Sequence, residues 1–236
     1  MRKIRSPDRV FLYLFYNGMA LFIVFEGIEG SGKTTQIEKA GEYLAARDIP
    51  CIITSEPGGT PLGRELRQLL LHGTTLTLGI KTELLLFAAD RAQHVEEIIV
   101  PALRAGTVVL CDRFCDATLA YQGYGRGWDI DAIREMNDFA TQSLQPDLTF
   151  LIDVPVATGL KRVAGRAWSG AAGGRSQATP DDRFEQEEVA FHERVRQGYL
   201  HLAAEEPARF RVVDGSRGID EIHDDICRSL QGLIER

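Results

Sequence analysis

The chain contains 236 residues, a length that fits one α/β domain of ordinary size with a substantial hydrophobic core. Its hydrophobic fraction of 44% and charged fraction of 26% are typical of a globular protein in water. A formal net charge of −7 argues against a nucleic-acid polymer or an anionic membrane as a partner, since both favour a basic surface. An anionic substrate must then be bound by a local cluster of arginines.

The cysteines and histidines do not indicate a metal site. The four cysteines form no C-x-x-C pair, and the five histidines show no H-E-x-x-H spacing. Reduced thiols in the cytoplasm are the simplest account of the cysteines, so we expect a cytoplasmic protein.

Residues 1–18 resemble a secretory signal, with basic residues before an apolar run. The second half of that run is the first predicted strand, and no small-residue cleavage site separates the two. The run is also shorter than the roughly 20 residues that a membrane span needs, so we expect no membrane segment. Two hypotheses stay open: translation starts at Met19, or residues 1–18 are a flexible extension. Either way, residues 19–236 are predicted to form a single domain.

The first predicted strand, residues 21–25, leads into the sequence GIEGSGKT. This stretch has the pattern G-x-x-x-x-G-K-T, from Gly27 to Thr34, which is typical of P-loop proteins. Apolar residues then recur at helical spacing from Ile37 to Ala45. Strand, glycine-rich loop and helix therefore follow in the order that a P-loop requires, and an ordinary glycine-rich turn is the much weaker interpretation.

The residue types in this loop are those that phosphate binding requires. Gly27, Gly30 and Gly32 allow backbone conformations in which successive N–H groups converge on phosphate oxygens. Lys33 supplies a cation for the outer phosphates, and the Thr34 hydroxyl is placed to ligate Mg²⁺. The residues predicted to hold the phosphates of ATP are Gly27, Ile28, Glu29, Gly30, Ser31, Gly32, Lys33, Thr34 and Thr35.

Four further apolar strands are predicted, at residues 50–54, 107–111, 148–152 and 210–213. Helical faces between and after them are marked by Leu62, Leu66, Leu69 and Leu70, by Ile133, Met136 and Ala140, and by Ile222, Ile226, Leu230 and Leu233. Five strands separated by helices predict a three-layer, doubly wound α/β domain with a five-stranded parallel sheet. In such a sheet the ligand binds at the carboxyl ends of the strands.

Polar motifs follow these strands. Glu56-Pro57-Gly58-Gly59 comes after the second, Asp112-Arg113-Phe114 after the third and Asp153 after the fourth. Taken alone, each is explained by a turn or a solvated ion pair. Because they fall together at one edge of a P-loop sheet, they favour a functional site.

Several separated motifs resemble those of bacterial thymidylate kinases: FEGIEGSGKTTQ, SEPGGTPLGRELRQLLL, LLFAADRAQH, CDRFCDATLAYQGYGRG, PDLTFLIDVP and DDRFEQEEVAFHERVRQGYLHLA. The resemblance covers roughly residue 21 to the C-terminus. It implies the P-loop nucleoside monophosphate kinase fold and transfer of the γ-phosphoryl group of ATP to dTMP, giving dTDP for dTTP biosynthesis. It also implies Mg²⁺ as a cofactor and a homodimer.

The resemblance assigns dTMP contacts to Glu29, Glu56, Arg67, Phe87, Arg91, Arg113, Thr118, Tyr121 and Gln122. Arg67 and Arg113 would clamp the dTMP phosphate, since a guanidinium fork binds phosphate oxygens bidentately. Phe87 would stack on thymine and Arg91 would hydrogen-bond the edge of the base. Without the resemblance, Phe87 would be interpreted as a core aromatic and Arg91 as a surface charge.

Three further roles follow from the resemblance. Tyr121 would crowd the position of a ribose 2′-hydroxyl, and Glu29 would contact the sugar. Asp112 would organise Mg²⁺ and the phosphates together with Thr34. Because a monophosphate acceptor brings its own nucleophilic oxygen, no serine or histidine nucleophile is required.

The arginine that neutralises the transition state must lie outside the P-loop, because positions 28–31 are Ile, Glu, Gly and Ser. The resemblance places it in a mobile lid at about residues 161–183. Arg166 is the first choice, which makes the predicted catalytic set Lys33, Asp112, Arg113 and Arg166; Arg162, Arg175 and Arg183 stay open. Residues 167–180 are longer and richer in glycine, alanine and serine than the family lid, so this segment is either a passive insertion or part of the lid.

Two other functional classes stay open. A kinase for another nucleoside monophosphate would keep the P-loop but change the pocket around Phe87, Arg91 and Gln122. A non-catalytic P-loop binding module would lack the arginine cluster. The presence of Arg67 and Arg113 together with Arg91 argues against that module.

Overall fold

The computed structural model describes residues 20–71, 78–168, 184 and 187–235, with residues 166–168 described by their backbone only. The hypotheses about residues 1–18 and Met19 lie outside these residues. So do the side chains of Arg166, Arg175 and Arg183.

Five parallel strands form the central sheet. They are β1 (Phe22–Glu26), β2 (Cys51–Ser55), β3 (Val108–Asp112), β4 (Leu148–Asp153) and β5 (Phe210–Asp214), in the spatial order β2-β3-β1-β4-β5. The predicted parallel, doubly wound sheet is confirmed, and each strand ends one residue later than predicted. The last residues of four strands, Glu26, Asp112, Asp153 and Asp214, are therefore acidic side chains at the carboxyl edge.

Helices cover both faces of the sheet, and their bounds in the described part of the chain are as follows. They are α1 (Lys33–Ala45), α2 (Pro61–Leu71), α3 (Ile80–His94), α4 (Val100–Arg104), α5 (Cys115–Thr118), α6 (Ile130–Thr141), α7 (Val156–Trp168), α8 (Val189–Glu205) and α9 (Ile219–Ile234). A π-helical segment, Val95–Ile99, joins α3 to α4, and a second one, Leu119–Gly125, continues α5.

The predicted helices are present, but the predicted apolar face of α2 is wrong. Of the four leucines predicted for this face only Leu70 is buried, while Leu62 and Leu69 are exposed. Gly63 faces the interior instead, where an added Cβ would lie 2.4 Å from Oδ1 of Asp90. Close approach of α2 to α3 thus requires glycine at this position.

The core lies on both sides of β1, which is buried along its whole length. Ile23 and Phe25 pack towards α1 and α9, whereas Phe22 and Val24 pack on the opposite face with Phe114. The rings of Phe22 and Phe114 meet edge to face at 4.9 Å between centroids. A strand held from both faces positions the loop that follows it, because its backbone cannot shift without opening the core.

Among the described helices, none is both long and apolar enough to cross a bilayer.

Candidate active site

The glycine-rich loop after β1 turns directly into α1. Gly27 has φ 142°, and an added Cβ would lie 2.4 Å from the carbonyl oxygen of Ile152. Gly32 has φ 105° at the start of α1, a left-handed conformation that favours glycine. The ammonium of Lys33 folds back over the loop, donating to the carbonyls of Gly27 at 2.9 Å and Ile28 at 3.0 Å. The lysine thus lies over the loop that is predicted to hold phosphate.

Lys33 has both a cationic and several anionic side chains near it. Burial and the nearby Arg113 lower the pKa of Lys33 to about 8, and Asp112, Glu29 and Glu26 only partly oppose them. The ammonium remains mainly protonated at neutral pH. A partly desolvated cation of this kind is suited to an anionic ligand, which would replace its carbonyl partners.

Helix α7 packs directly against the loop. Gly30 has φ 70°, and an added Cβ would lie 2.1 Å from the carbonyl oxygen of Gly159, while a Cβ on Gly159 would lie 2.4 Å from that of Glu29. The Arg162 guanidinium donates to the carbonyl of Gly215 at 3.1 Å and lies near the loop carbonyls of Gly30 and Ser31. Helix α7, on which the predicted lid begins, is therefore in backbone contact with the phosphate-binding loop at Gly159.

Arg113 is clamped between the loop and α8. It follows β3 with φ 69°, and its backbone N–H donates to the carbonyl of Phe25 at 3.0 Å. Its Nη2 donates to Oε1 of Glu29 at 2.9 Å and its Nη1 to the Tyr199 hydroxyl at 3.1 Å. The guanidinium also lies over the ring of Tyr121, 4.8 Å from the centroid. Two nitrogens held by different elements orient the plane of the fork.

Glu29 joins this cluster from within the P-loop. Its Oε1 also accepts the Tyr121 hydroxyl at 2.5 Å, and its Oε2 lies 3.5 Å from Nδ1 of His192, an ion-pair distance rather than a hydrogen bond. Burial alone would raise the pKa of Glu29, but His192, Arg113, Lys33 and Tyr121 together lower it to about 2. Glu29 is thus ionised at neutral pH.

Oxygen atoms suited to Mg²⁺ lie at the same edge. Oδ1 of Asp112 and Oγ of Ser31 are buried and have no hydrogen-bond partner in the described part of the chain, and Thr34 is exposed in the first turn of α1. Within the described ranges, no group of three or more His, Cys, Asp or Glu side chains could hold a metal by itself. A carboxylate and a hydroxyl that leave the remaining positions to water and phosphate oxygens fit Mg²⁺.

Arg91 is buried, so the interpretation as a surface charge is wrong. Its side chain is 2% exposed and donates to Oε2 of Glu56 (2.8 Å) and Oδ1 of Asn137 (2.6 Å). It also donates to Oγ1 of Thr118 (2.9 Å) and the carbonyl of Phe114 (3.0 Å). A guanidinium has five N–H groups, so these bonds leave one for a base edge.

Glu56 is an internal anchor. Besides Arg91, it binds Nδ1 of His94 at 2.9 Å through Oε1, while Nε2 of His94 contacts Oγ1 of Thr54 at 2.7 Å. Arg67 donates to the carbonyl of Pro57 at 2.8 Å. Both Glu56 oxygens therefore have protein partners, and the turn after β2 is tied to α2 and α3.

Phe87 and Gln122 lie apart from these contacts. Phe87, on α3, is half-buried with its ring centroid 6.2 Å from that of Phe184. Gln122 is buried and donates to Oε1 of Glu83 at 2.8 Å, which also accepts from Arg126. The described contacts thus link Lys33 to the P-loop and join Glu29, Arg113 and Tyr121 directly. Phe87 packs against the hydrophobic cluster that contains Tyr121, and Gln122 is held by Glu83.

Sequence reasoning missed three residues of this site: Glu26, His192 and Tyr199. Glu26 ends an otherwise apolar strand, FIVFE, and is fully buried. A carboxylate at the end of a buried strand was the available signal. His192 and Tyr199 lie within a motif of the family resemblance, but helical spacing alone does not distinguish them from core residues.

A glycine-rich loop after the central strand of a parallel sheet, with Lys33 folded over the loop and Arg113 paired with Glu29 inside it, defines a P-loop phosphotransferase. The sequence model of the family described as thymidylate kinase matches residues 25–226. The chain therefore belongs to the thymidylate kinase family.

Individual relatives agree with this assignment. A thymidylate kinase of Geotalea uraniireducens is 53% identical over 203 residues, covering 86% of this chain and 92% of the relative. One of Desulfovibrio desulfuricans is 52% identical over 216 residues, covering 92% and 97%. The crystal structure of thymidylate kinase from Ehrlichia chaffeensis matches with a TM-score of 0.69 and 35% identity, covering 90% of this chain and 98% of that one. The resemblance drawn from the motifs is confirmed.

Proposed function

We propose that the chain is a dTMP kinase, which transfers the γ-phosphoryl group of ATP to dTMP and yields ADP and dTDP. The observation that carries this proposal is the clustering of a P-loop lysine and a partly buried arginine around Glu29, in a chain about half identical to named thymidylate kinases. Phosphoryl transfer needs alignment of two nucleotides and cations at the transferring group, and the site offers both.

The residues of the loop bind and orient ATP in this proposal. N–H groups from Gly27 to Thr35 surround the phosphates at the N-terminus of α1, where the helix dipole favours negative charge. Lys33 exchanges the carbonyls of Gly27 and Ile28 for phosphate oxygens. The pKa of Lys33, lowered to about 8 by burial and Arg113, rises again next to an anion, so ATP binding keeps the cation charged.

Mg²⁺ would be held by the Thr34 hydroxyl and the Asp112 carboxylate. When bound, it neutralises charge on the β- and γ-phosphates during transfer. The buried Oδ1 of Asp112, which has no hydrogen-bond partner among the residues that the structure describes, supports this role.

The acceptor dTMP would bind beyond the loop. Arg113 and Arg67 hold its phosphate, Phe87 stacks on thymine, and the one uncommitted N–H of Arg91 reaches the base edge. Thr118 and Glu56 contribute by holding Arg91 in place. These roles are supported by the burial and partners of the two clusters.

Sugar selection would depend on Tyr121 and Glu29. The hydrogen bond between them holds the Tyr121 ring, which in this proposal crowds the position of a ribose 2′-hydroxyl. Gln122, held by Glu83, completes the acceptor site.

The lid, the N-terminal segment and the oligomer remain predictions. Arg166 is proposed to neutralise the transition state, and Arg162 is the alternative whose side chain contacts the loop. A homodimer is expected from the family resemblance, and a cytoplasmic location is expected from the reduced cysteines.

The proposal is tested by measuring ADP release with Mg²⁺ and ATP against dTMP, dUMP, dCMP and dAMP. We expect the fastest turnover with dTMP and at least a hundredfold loss in Lys33→Ala, with an unchanged unfolding midpoint, because a positioned cation is lost. Faster turnover with another acceptor would make the protein a different nucleoside monophosphate kinase. No turnover with any acceptor would leave only a binding module.

A further inference from the structure

Helix α8 contributes one phenol, that of Tyr199, to the surroundings of the Arg113 guanidinium. The Tyr199 hydroxyl accepts from Nη1 of Arg113 at 3.1 Å and donates to Oε2 of Glu26 at 2.7 Å. Tyr199 is 1% exposed and Glu26 is fully buried. The hydroxyl therefore cannot exchange these partners for bulk water.

Glu26 is itself held by backbone groups. Its Oε1 accepts from the N–H of Phe114 at 2.8 Å and from that of Ala117 at 3.2 Å. Phe114 directly follows Arg113 in the chain, and Ala117 lies three residues further on, in α5. One carboxylate thus connects the end of β1, the turn after β3 and, through Tyr199, helix α8.

We propose that Tyr199, anchored by Glu26, is a positioning residue for Arg113. The Arg113 guanidinium is fixed through two nitrogens, by Glu29 on one side and by Tyr199 on the other. With only the Glu29 contact, the fork can rotate about that hydrogen bond and its free N–H groups lose their direction. A bidentate phosphate contact requires that direction.

The inference rests on the proposed function, because it gives Arg113 the dTMP phosphate as its ligand. The competing explanation is that Tyr199 is simply a core aromatic. Its ring meets that of Tyr121 edge to face, with centroids 6.2 Å apart, and a phenylalanine would keep that contact. Tyr199→Phe therefore removes the hydroxyl and leaves the packing in place.

The first measurement is steady-state kinetics of Tyr199→Phe with each substrate varied in turn. We expect kcat/KM for dTMP to fall about tenfold, the effect of one hydrogen bond to a charged group, while KM for ATP changes less than about twofold. Tyr124→Phe is the matched control, since its ring packs against Gly198 of the same helix and is outside the cluster. Equal losses for both substrates, or none, would overturn the proposal.

A double-mutant cycle with Arg113→Lys separates the possible failures. Lysine keeps a positive charge near Glu29 but cannot fork towards Tyr199. If Tyr199 acts through Arg113, adding Tyr199→Phe to Arg113→Lys changes kcat/KM for dTMP by less than about twofold. A full tenfold loss in the double variant would refute positioning through Arg113. If Arg113→Lys alone leaves dTMP kinetics unchanged, the proposed role of Arg113 has failed instead.

Discussion

Replacing Glu26 by Gln should change how the stability of the protein depends on pH. Burial, followed by the charge of Asp116, raises the pKa of Glu26 from 4.5 to about 7, although Arg113 and the hydrogen bonds from Tyr199 and Phe114 oppose the rise. Between pH 4.5 and about 7 the folded protein therefore keeps a proton on Glu26 that the unfolded chain has released. Glutamine has no proton to release in this range, so the substitution isolates the effect.

The sign follows from the raised pKa. The stability contributed by neutral Glu26 is fully present below pH 4.5 and is lost as the pH rises to about 7. Each pH unit between the two midpoints is worth about 1.4 kcal/mol, so the whole loss is about 3 kcal/mol. Between pH 5 and 8 the free energy of unfolding of the wild type should fall by about 2 to 3 kcal/mol relative to Glu26→Gln.

Urea unfolding followed by far-UV circular dichroism, at constant ionic strength and without nucleotide, measures this difference. Glu38→Gln is the matched control, because Glu38 is an exposed glutamate on α1. Its unfolding free energy should follow the wild type within about 0.5 kcal/mol at each pH. Parallel curves for wild type and Glu26→Gln from pH 5 to 8 would refute a buried carboxyl that holds its proton.

Phe87→Ala should raise KM for dTMP at least about tenfold and KM for ATP less than twofold, because a stacking surface for the base is lost; equal rises would make Phe87 a core residue only. Gly159→Ala places a Cβ 2.4 Å from the carbonyl oxygen of Glu29, so we expect a higher KM for ATP and a free energy of unfolding lower by about 1 to 3 kcal/mol. Gly165→Ala on the same helix meets nothing within 4 Å and should be neutral or slightly stabilising, by up to about 1 kcal/mol. Thermal unfolding and ATP titration distinguish Gly159→Ala from Gly165→Ala. Identical behaviour of these two variants would contradict the tight contact between α7 and the P-loop.

The sequence predicted the features that depend on neighbours along the chain. The P-loop is recognisable because strand, glycines, lysine and helix start occur within about twenty residues. The five strands are recognisable because central parallel strands are apolar on both faces. Strand ends were one residue short, since the pattern stops at the first acidic residue while pairing continues through Glu26 and Asp112.

The sequence was less informative where a partner comes from a distant element. In α2 the leucine pattern indicated the wrong buried face, because contact with α3 is made at Gly63. From the sequence alone, Arg91 would be interpreted as a surface charge. It is buried only because Glu56, Thr118 and Asn137 arrive from three other segments to satisfy its donors.

By itself, the sequence determined a phosphate-binding loop on a parallel α/β sheet, since backbone conformation and strand burial follow from local residue types. Only the tertiary structure decided which carboxylates face which guanidinium groups. Arg113 lies between Glu29 and Tyr199 because β1, β3 and α8 pack side by side, although Tyr199 follows Arg113 by 86 positions in the chain. Charge placement of this kind depends on the packing of distant elements, and no local pattern encodes it.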